Sequence, residues 1–514
     1  MSGLPILWDK AVLSDLGAAG EQAVLTGPFG ANLGKEDFVA SGVPVFTIGC
    51  LGADGIDRSK LLHVSVKKAQ ELSAYRLREG DFLFSRMASV GRAGFVPADL
   101  DGALFNYHLM RLRLNSAAII PKLFYYYVRG SEAVQQYLDE VSRGATRDGI
   151  NTKLLRDMPV HVPPLAEQPR IVTKIEGLSG KSRRAREHLD HIPRLVEKYK
   201  QAILAAALRG GLTREWREKH SDIEHADELI ARTKEPSQSR GGREATTSVK
   251  AGIAGLSVND PGTAPPSGWS WVNLRRIARQ ETGHTPSRSH PDYWDGGIPW
   301  IGIRDAGNHH GTIIDDTLQT ISKAGLANSS ARLLAAGTVC LSRTASVGYV
   351  TIMGRSMATS QDFATWSCSP ALVPKYLMYA LMAEGNNIRD FGEGSTHTTI
   401  YFPEIRALQI CLAPLIEQQE IVRRVEIALA WVDRIASEAT SARKLIDHLD
   451  QAILAKAFRG ELVPQDPNDE PASVLLERIK AGRQATHTPR GRSKVEPVPE
   501  KTIKLKSTGR RRRP

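Results

Sequence analysis

The sequence predicts an α/β protein built as two copies of one plan, each a globular domain followed by a long helix. "KQAILAAALRGGL" (200–212) recurs as "DQAILAKAFRGEL" (450–462), 250 residues later in a chain of 514. "PPLAEQPRIVTKIE" (163–176) recurs as "APLIEQQEIVRRVE" (413–426) at the same offset. Between these shared stretches, apolar residues keep one heptad spacing in both copies. A duplicated sequence indicates a duplicated structural unit.

The globular domains are predicted over 1–162 and 268–412. "GDFLFSRMASVG" (80–91) matches "GTVCLSRTASVG" (337–348), and both read as a strand, a polar turn and the start of another strand. The opening loops differ. Domain one has "TGPFGANLGKEDFVASGVPVFTI" (26–48), whereas domain two has "TGHTPSRSHPDYWDGGIPWIGI" (282–303). The two domains are therefore expected to share a framework and to differ in their polar loops.

The long helices are predicted over 163–212 and 413–463. Between 164 and 212, 18 of 49 positions are identical to their partners, 16 of them near the two ends of the stretch. A sustained a/d pattern favours a coiled coil, and about 44 residues would span roughly 65 Å. Two unrelated surface helices are the alternative, but a matched heptad would then be a coincidence. Pro193 should kink or interrupt the first helix, and Gly210 and Gly460 should end the two helices. The predicted seam consists of Ile171, Ile175, Leu178, Ser182, Ala185, Leu189, Ile192, Val196, Tyr199 and Ile203, then Ile421, Val425, Ala428, Val432, Ile435, Ala439, Ala442, Ile446, Leu449 and Ile453.

Three further segments complete the chain. The composition of 213–267 is rich in Pro, Gly, Ser and Thr and predicts a flexible linker. A short amphipathic helix is expected within 464–482. The segment 483–514 carries a charge of +9 out of the net +12, which leaves the rest of the chain nearly balanced. This basic tail could contact phosphates nonspecifically, or be a solvated, disordered tail with no dedicated role.

No catalytic signature is found in the sequence. It lacks a G-x-x-x-x-G-K-[ST] phosphate loop, a G-x-S-x-G elbow, an H-E-x-x-H pair and the Asn/Asp-Pro-Pro-Tyr/Phe stretch of adenine methyltransferases. The four cysteines form no C-x-x-C pair and are expected to be reduced and mostly buried. We therefore expect no catalytic residue and no metal site. Without a signal peptide or an uninterrupted apolar run of about 18 residues, a cytoplasmic protein is expected.

The paired P-L-x-E-Q starts, the paired Q-A-I-L ends, "TGHTPS…YWDGGIPWI" and the two "SR.ASVG" turns resemble the specificity subunit of Type I restriction-modification systems (HsdS). The resemblance covers about Leu16 to Gly482. It implies that each globular unit is a target recognition domain for one half of a bipartite, asymmetric DNA site. It also implies that the helices pair as an antiparallel coiled coil with pseudo-twofold symmetry and set the spacing between the halves.

The resemblance further implies the partners and cofactors. The partners would be double-stranded DNA, two modification (methyltransferase) subunits and, through them, restriction (translocase and nuclease) subunits. This chain would bind no cofactor itself. S-adenosylmethionine would belong to the modification subunits, and ATP and Mg²⁺ to the restriction subunits. Two other hypotheses stay open: a duplicated coiled-coil adaptor without DNA recognition, and a stand-alone nuclease.

Comparison of the two copies sorts the candidate binding residues. Parts that both domains share cannot encode different half-sites, so Ser85, Arg86, Ser342 and Arg343 are expected to be scaffold or phosphate contacts. Base readout is expected in the divergent loops, from Asn32 and Lys35 in domain one and from Arg288, Arg304, Asn308 and Gln361 in domain two. The shared helix ends are expected to bind the modification subunits. That partner-binding set consists of Pro164, Glu167, Gln168, Gln201, Arg209, Pro414, Glu417, Gln418, Gln451 and Arg459.

Overall fold

The structure is a computed structural model that describes residues 4–18, 23–29, 32–52, 55–86, 92–143, 150–238, 244–392 and 398–486. The chain divides into two compact units. Unit one comprises Met1–Arg186 with Lys444–Pro514, and unit two comprises Glu187–Arg443. Each unit thus combines one globular domain with the first part of its own long helix and the last part of the other.

Unit one is a mixed α/β domain with two four-stranded sheets. The antiparallel sheet has the order Val24–Thr26, Leu109–Leu112, Phe82–Ser85, Ala93–Phe95. The second sheet has the order Leu104–Phe105, Val43–Phe46, Leu62–Val64, Phe38–Val39. Asp9–Val12 pairs with Pro159–Val162, and Leu51–Gly52 with Gly55–Ile56. Its shorter helices are Val66–Glu71, Pro121–Gly130, Glu132–Arg143, Thr152–Arg156 and Ala472–Thr486.

The end of the second long helix completes the core of unit one. Ile453, Ala457 and Phe458 belong to the same buried cluster as Phe82 and Phe124. The Phe458 ring meets the Tyr127 ring edge-on, with 5.1 Å between centroids. The core of domain one is therefore made partly from residues far along the chain.

Unit two has the same kind of architecture. A five-stranded sheet has the order Ala278–Thr282, Phe363–Cys368, Val339–Ser342, Val350–Met353, Ile313–Ile314. A three-stranded sheet has the order Gln319–Ile321, Trp294–Ile301, Ala358–Thr359, and a four-stranded sheet the order Lys250–Ala251, Leu256–Val258, Leu408–Leu412, Ser270–Asn273. The shorter helices are Arg214–Glu218, Ala226–Arg232, Leu274–Ile277, Ile303–Asn308, Lys323–Ala327, Pro374–Ala383 and Phe402–Arg406. Leu204, Ala207 and Leu208, from the end of the first long helix, lie in its core.

The segment 213–267 differs from the flexible linker that its composition predicts. It forms two helices and two strands, and Leu256–Val258 pairs with Leu408–Leu412 in a sheet of unit two. Leu229, Leu256 and Val258 are buried in the core. Short apolar runs inside the Pro- and Gly-rich sequence carry enough buried surface to fold, which composition alone does not reveal. Residues 239–243 lie outside the described part.

The two long helices run antiparallel. The first consists of Glu167–Asp190 and Ile192–Leu208, and the second is the uninterrupted helix Leu415–Phe458. In unit one, Arg186 pairs with Asp447 at 2.8 Å. In unit two, Asp190 pairs with Arg443, and Lys200 pairs with Asp433 at 2.5 Å. In these pairs the residue number rises along the first helix as it falls along the second, as the predicted antiparallel pair requires.

The helix interruption and both helix ends match the sequence predictions. The first helix breaks at His191, just before Pro193, whose ring nitrogen cannot donate to the preceding turn. Gly210 and Gly460 follow the helices with φ of 72° and 76°. Gly211 N–H donates to Ala206 O at 2.8 Å, and Glu461 N–H to Lys456 O at 2.9 Å. This six-to-one bond after a left-handed glycine is the Schellman ending.

The predicted seam is correct for most positions but not for two. Ile171, Ile175, Ile421 and Val425 are fully buried. Tyr199 and Leu449, which occupy the same heptad position in the two copies, are instead 62% and 53% exposed. A straight helix has 3.6 rather than 3.5 residues per turn, so a strict heptad drifts off the contact line within a few turns.

A buried glutamine anchors the first turn of each long helix. Gln168 Oε1 accepts the Ile120 N–H at 2.9 Å, and Gln168 Nε2 donates to the carbonyl oxygens of Ala118 and Pro163 at 3.0 and 3.2 Å. Gln418 repeats the arrangement, at 2.9 Å in each bond, with Val373, Ala371 and Ala413. A buried amide must be hydrogen-bonded, and here both ends of each amide are.

The glutamate before each glutamine is also buried and bonded. Glu167 Oε2 accepts from the Trp8 indole at 2.9 Å, and Oε1 accepts from Gln465 Nε2 at 2.7 Å. Glu417 Oε2 accepts from the Trp269 indole at 2.8 Å. Its other donors are Thr213 Oγ1 at 2.6 Å and the Arg217 guanidinium at 2.8 Å. We call Glu167 with Gln168, and Glu417 with Gln418, the helix-start anchors.

Several smaller predictions can also be compared with the structure. The four cysteines are free, and all but the partly buried Cys368 are buried. The C-terminal helix runs from Ala472 to Thr486, somewhat beyond its predicted end. The tail from residue 487 onward lies outside the described residues. Among those residues, no helix is long and apolar enough to span a membrane, and no group of three or more His, Cys, Asp or Glu side chains could hold a metal.

We expect Glu417→Gln to weaken its helix start more than Glu167→Gln does. Glu417→Gln removes the fully buried carboxylate that pairs with the partly buried Arg217 guanidinium, a loss of about 3 kcal/mol. Glu167 has only neutral side chains as direct donors, and burial raises its pKa. Its charged form is therefore the costly one: stabilisation is present at low pH and lost as the pH rises through the folded pKa. A neutral amide should cost about 1 kcal/mol or less.

Hydrogen exchange read by mass spectrometry would test this difference in peptides 415–425 and 167–177. Glu417→Gln should raise exchange roughly a hundredfold in the first peptide, and Glu167→Gln tenfold or less in the second. Equal protection losses in the two variants would show that the ion pair does not distinguish the anchors.

Candidate DNA and partner interfaces

The shared serines of the two polar turns have an internal structural role. Ser85 and Ser342 are fully buried. Ser85 Oγ accepts the Arg92 N–H at 2.9 Å, and Ser342 Oγ accepts the Tyr349 N–H at 2.8 Å, seven residues on in both copies. Of the two readings left open by the sequence, this geometry favours scaffold for the serines. Residues 87–91 of the first turn lie outside the described residues.

The shared arginines also occupy matching positions. The Ile150 N–H donates to Arg86 O, and the Ile400 N–H to Arg343 O, both at 2.9 Å. The Arg86 guanidinium lies 5.6 Å from the centre of the Phe29 ring, and that of Arg343 lies 4.5 Å from Phe402. Burial lowers the pKa of the Arg343 guanidinium, and its Nη2 donates to Gln361 O at 3.0 Å. Arg343 therefore positions the loop that carries Gln361.

In domain two, the divergent loop 283–290 is held in place by two tryptophans. Trp300 Nε1 donates to His284 O at 3.0 Å, and Trp294 Nε1 donates to Ser287 O at 3.2 Å. The His284 N–H donates to Thr359 O at 2.9 Å. A Cβ at position 283 would lie 1.9 Å from that same oxygen, so only glycine fits there. The loop is thus fixed by hydrogen bonds to its backbone, while residues 287–290 stay exposed.

Arg288 is the exposed cation of this loop. Its guanidinium carbon lies 3.7 Å from the centre of the Trp294 ring and 5.9 Å from that of Trp300. Arg288 Nη2 donates to Gln319 Oε1 at 2.8 Å. Gln361 is also exposed, and its Oε1 accepts from Thr285 Oγ1 at 2.6 Å. The structure thus attaches both Arg288 and Gln361 to this one loop.

The other base-reading candidates are exposed but less constrained. Arg304 and Asn308 lie on the short helix Ile303–Asn308. Asp305 fixes this helix, because its carboxylate accepts the Gly302 N–H at 3.0 Å and the Leu318 N–H at 2.8 Å. In domain one, Asn32 and Lys35 are exposed just after residues 30–31, which lie outside the described part. No hydrogen bond from any of these four side chains fixes its direction among the described residues.

The structure gives much of the expected partner-binding set an internal role. Pro164, Glu167, Gln168, Pro414, Glu417 and Gln418 are all buried. The four polar ones form the helix-start anchors, so they present no side-chain surface to a partner. These positions are alike in the two copies because the same internal bonds are made twice. The expectation of direct docking through these six side chains is corrected accordingly.

The remaining members of the set lie near the helix ends and keep some exposure. Arg209 donates to Ile253 O, and Arg459 donates to Glu461 and Glu132. Gln201 is partly buried, and Gln451 is exposed. Partner binding by these four residues stays a prediction.

Sequence reasoning missed large apolar side chains that are exposed at equivalent positions of the two long helices. In unit two, Leu195 and Tyr199 are 48% and 62% exposed. In unit one, Leu445 and Leu449 stand at the equivalent positions and are 68% and 53% exposed. One signal was present: Leu195 is one of only two identities in the middle of the repeat. We call these two i, i+4 pairs the apolar pairs.

Comparisons with known proteins identify the family. The family model described as "Type I restriction modification DNA specificity domain" matches residues 30–187 and 266–435. The EcoDI specificity subunit of Escherichia coli is 25% identical over 405 residues, which cover 74% of this chain and 81% of that protein. The EcoBI specificity subunit of Escherichia coli is 24% identical over 456 residues, which cover 84% and 87%.

Solved structures share the fold. The HsdS subunit from Thermoanaerobacter tengcongensis matches with a TM-score of 0.55 at 20% identity, over 89% of this chain and 98% of that one. A chain from a structural study of a type I R-M system matches with a TM-score of 0.58 at 19% identity, over 89% and 99%. These matches confirm the predicted fold class.

The two matched segments include most of each globular domain together with the beginning of the long helix that follows it. They cover more than half of the sequence and coincide with its internal repeat. The chain therefore belongs to the family of type I restriction-modification DNA specificity proteins.

Proposed function

We propose that this chain is the sequence-specific DNA-binding subunit of a Type I restriction-modification complex and is not catalytic by itself. One observation carries the proposal: two domains with matching internal frameworks present different polar loops. Ser85 and Ser342 make equivalent bonds, whereas the loop pinned by Trp294 and Trp300 differs in sequence from its counterpart in domain one. A coiled-coil adaptor would gain nothing from such divergence.

Selection from random duplex DNA tests this function. The chain, assembled with its modification subunits, should enrich a split, asymmetric consensus when the bound fraction is sequenced. An adaptor would give no enrichment. A stand-alone nuclease would instead cut plasmid when the purified chain alone is incubated with Mg²⁺, where we expect intact DNA.

In this proposal each domain reads one half of the target. Replacing residues 1–160 with the corresponding domain of another family member should change only one half of the consensus. The donor domain must supply a tryptophan at the position of Trp8, because the Glu167 anchor depends on it. A change in both halves would refute the assignment of one domain to one half.

The helix pair would set the distance between the half-sites. One heptad added to both helices, after Arg186 and after Arg443, lengthens each by about 10 Å, or roughly three base pairs of duplex. The unspecified gap in the consensus should grow by about that amount. Exchanging a heptad for a different one without changing the length serves as the control. A gap that stays constant after the insertion would mean that the helices do not set it.

The apolar pairs are the surfaces on which two modification subunits would dock. Large apolar side chains exposed together on a helix are typical of interaction sites. Leu195 with Tyr199 and Leu445 with Leu449 recur at an offset of 250 residues, which suits two copies of one partner. S-adenosylmethionine would be bound by those partners. ATP and Mg²⁺ would be bound by restriction subunits that join through them.

Replacing one apolar pair should remove one modification subunit from the complex. We expect Leu445→Glu with Leu449→Glu to change the stoichiometry, measured by native mass spectrometry, from two modification subunits per chain to one. Glutamate is a good helix former, so these substitutions should keep the helix while they remove the apolar contact. Val66→Glu is the matched control, because Val66 is 62% exposed at the start of a short helix elsewhere in unit one. Two bound subunits in the double variant would place docking elsewhere.

A further inference from the structure

We infer that Arg288 reads a guanine in the half-site recognised by domain two, with Trp294 and Gln319 as the residues that position it. This inference rests on the proposed function and names the base class and the residue within it. Three features support it: a fixed backbone, an oriented side chain and unused donor groups.

The backbone that leads to Arg288 is fixed by hydrogen bonds at two residues of the loop. The tryptophan indoles donate to His284 O and Ser287 O, and the His284 N–H donates to Thr359 O. The absence of a side chain at Gly283 lets the loop approach Thr359 this closely. Because the loop backbone is already fixed in the free protein, less of it has to be ordered on binding, which lowers the entropic cost of recognition.

The guanidinium plane is oriented as well. It lies 3.7 Å from the centre of the Trp294 ring, and Gln319 accepts one of its hydrogen bonds at 2.8 Å. Cation–π stacking and a directional hydrogen bond together fix both the position and the rotation of the fork. Gln319 is exposed and belongs to the strand Gln319–Ile321, so its own position comes from the three-stranded sheet.

Most of the donor groups of Arg288 remain unused. An arginine has five N–H groups. Among the described residues, the only hydrogen bond that Arg288 donates goes to Gln319, and it makes no ion pair. Exposed Arg355 provides the contrast, because it bonds to Asp315 O and pairs with Asp316. Arg288 therefore retains parallel N–H groups in an orientation that can be offered to a ligand.

Guanine is the base that such a fork fits. In the major groove, guanine presents O6 and N7 as two adjacent acceptors, and arginine binds them with two parallel hydrogen bonds. A phosphate contact would require charge but no fixed plane. Arg288 also lies outside the quoted family motif, between "TGHTPS" and "YWDGGIPWI", and the opening loop of domain one (26–38) contains no arginine, whereas the Ser–Arg turns are shared.

The test maps methylated sites of the assembled methyltransferase complex on genomic DNA by single-molecule sequencing. Wild-type protein should give a two-part motif. Arg288→Ala and Arg288→Lys should each lower discrimination roughly tenfold or more at a single G·C position in one half, with the other half unchanged. Gln319→Ala should relax the same position by a smaller factor. Arg355→Ala, the same chemical change at an exposed arginine of the same domain, should leave the motif intact.

The possible failures can be told apart. If Arg288→Ala lowers methylation evenly at all sites and leaves the motif intact, Arg288 contacts phosphate and the inference is wrong. If Arg288→Ala leaves both the motif and the rate intact, Arg288 is surface and the inference is wrong again. If the wild-type complex gives no two-part motif, the proposed function itself fails.

Discussion

The buried carboxylates of Glu167 and Glu417 determine how each long helix leaves its domain. A carboxylate taken out of water must be satisfied by hydrogen bonds. Its donors come from two separate places, a tryptophan just before the first edge strand of the domain and the chain that follows the other long helix. In each anchor a single carboxyl group therefore joins a domain, the start of one long helix and the segment that follows the other. The adjacent glutamine fixes the same turn to the domain backbone.

Because the helix starts are fixed internally, the domain surfaces are free to diverge. The two domains keep the same bonds around Ser85 and Ser342 while their opening loops share little sequence. In domain two, the divergent loop has its backbone hydrogen-bonded to two tryptophans, while its residues 287–290 are exposed. The loop makes none of the hydrogen bonds of the anchors, so substitution of its exposed side chains leaves the anchors unchanged.

Much of the fold could be predicted because the sequence contains its own internal comparison. The repeat located both domains and both helices. Gly210 and Gly460 end the helices and Pro193 interrupts the first one, effects that depend only on neighbouring residues. The incorrect predictions involved contacts between residues far apart in the sequence, or deviations that accumulate along a helix. Similarity at Glu167 and Glu417 has two explanations, a common partner or a common internal bond, and the deciding donor Trp8 lies 159 residues from Glu167.

The other misreadings have similar causes. Composition predicted a flexible 213–267, whereas a few apolar residues such as Leu256 and Val258 tie it into a sheet through partners more than a hundred residues away. Tyr199 and Leu449 were assigned to the seam because a heptad pattern does not show where a straight helix drifts from it. Among the base-reading candidates, the loop sequence suggested Arg288, but only the structure shows that Trp294 and Gln319 orient it.

The interleaving of unit one has a consequence for the order in which the protein is made. Its domain is synthesised well before Ile453, Ala457 and Phe458, yet these three residues supply part of its core. Arg170 likewise pairs with Asp469, which lies 299 residues later in the chain. Domains usually fold as they are synthesised, N-terminal first. Here the core of domain one stays incomplete, with apolar surface uncovered, until the end of the second long helix has been synthesised, so the nascent chain depends on these later residues for protection from aggregation.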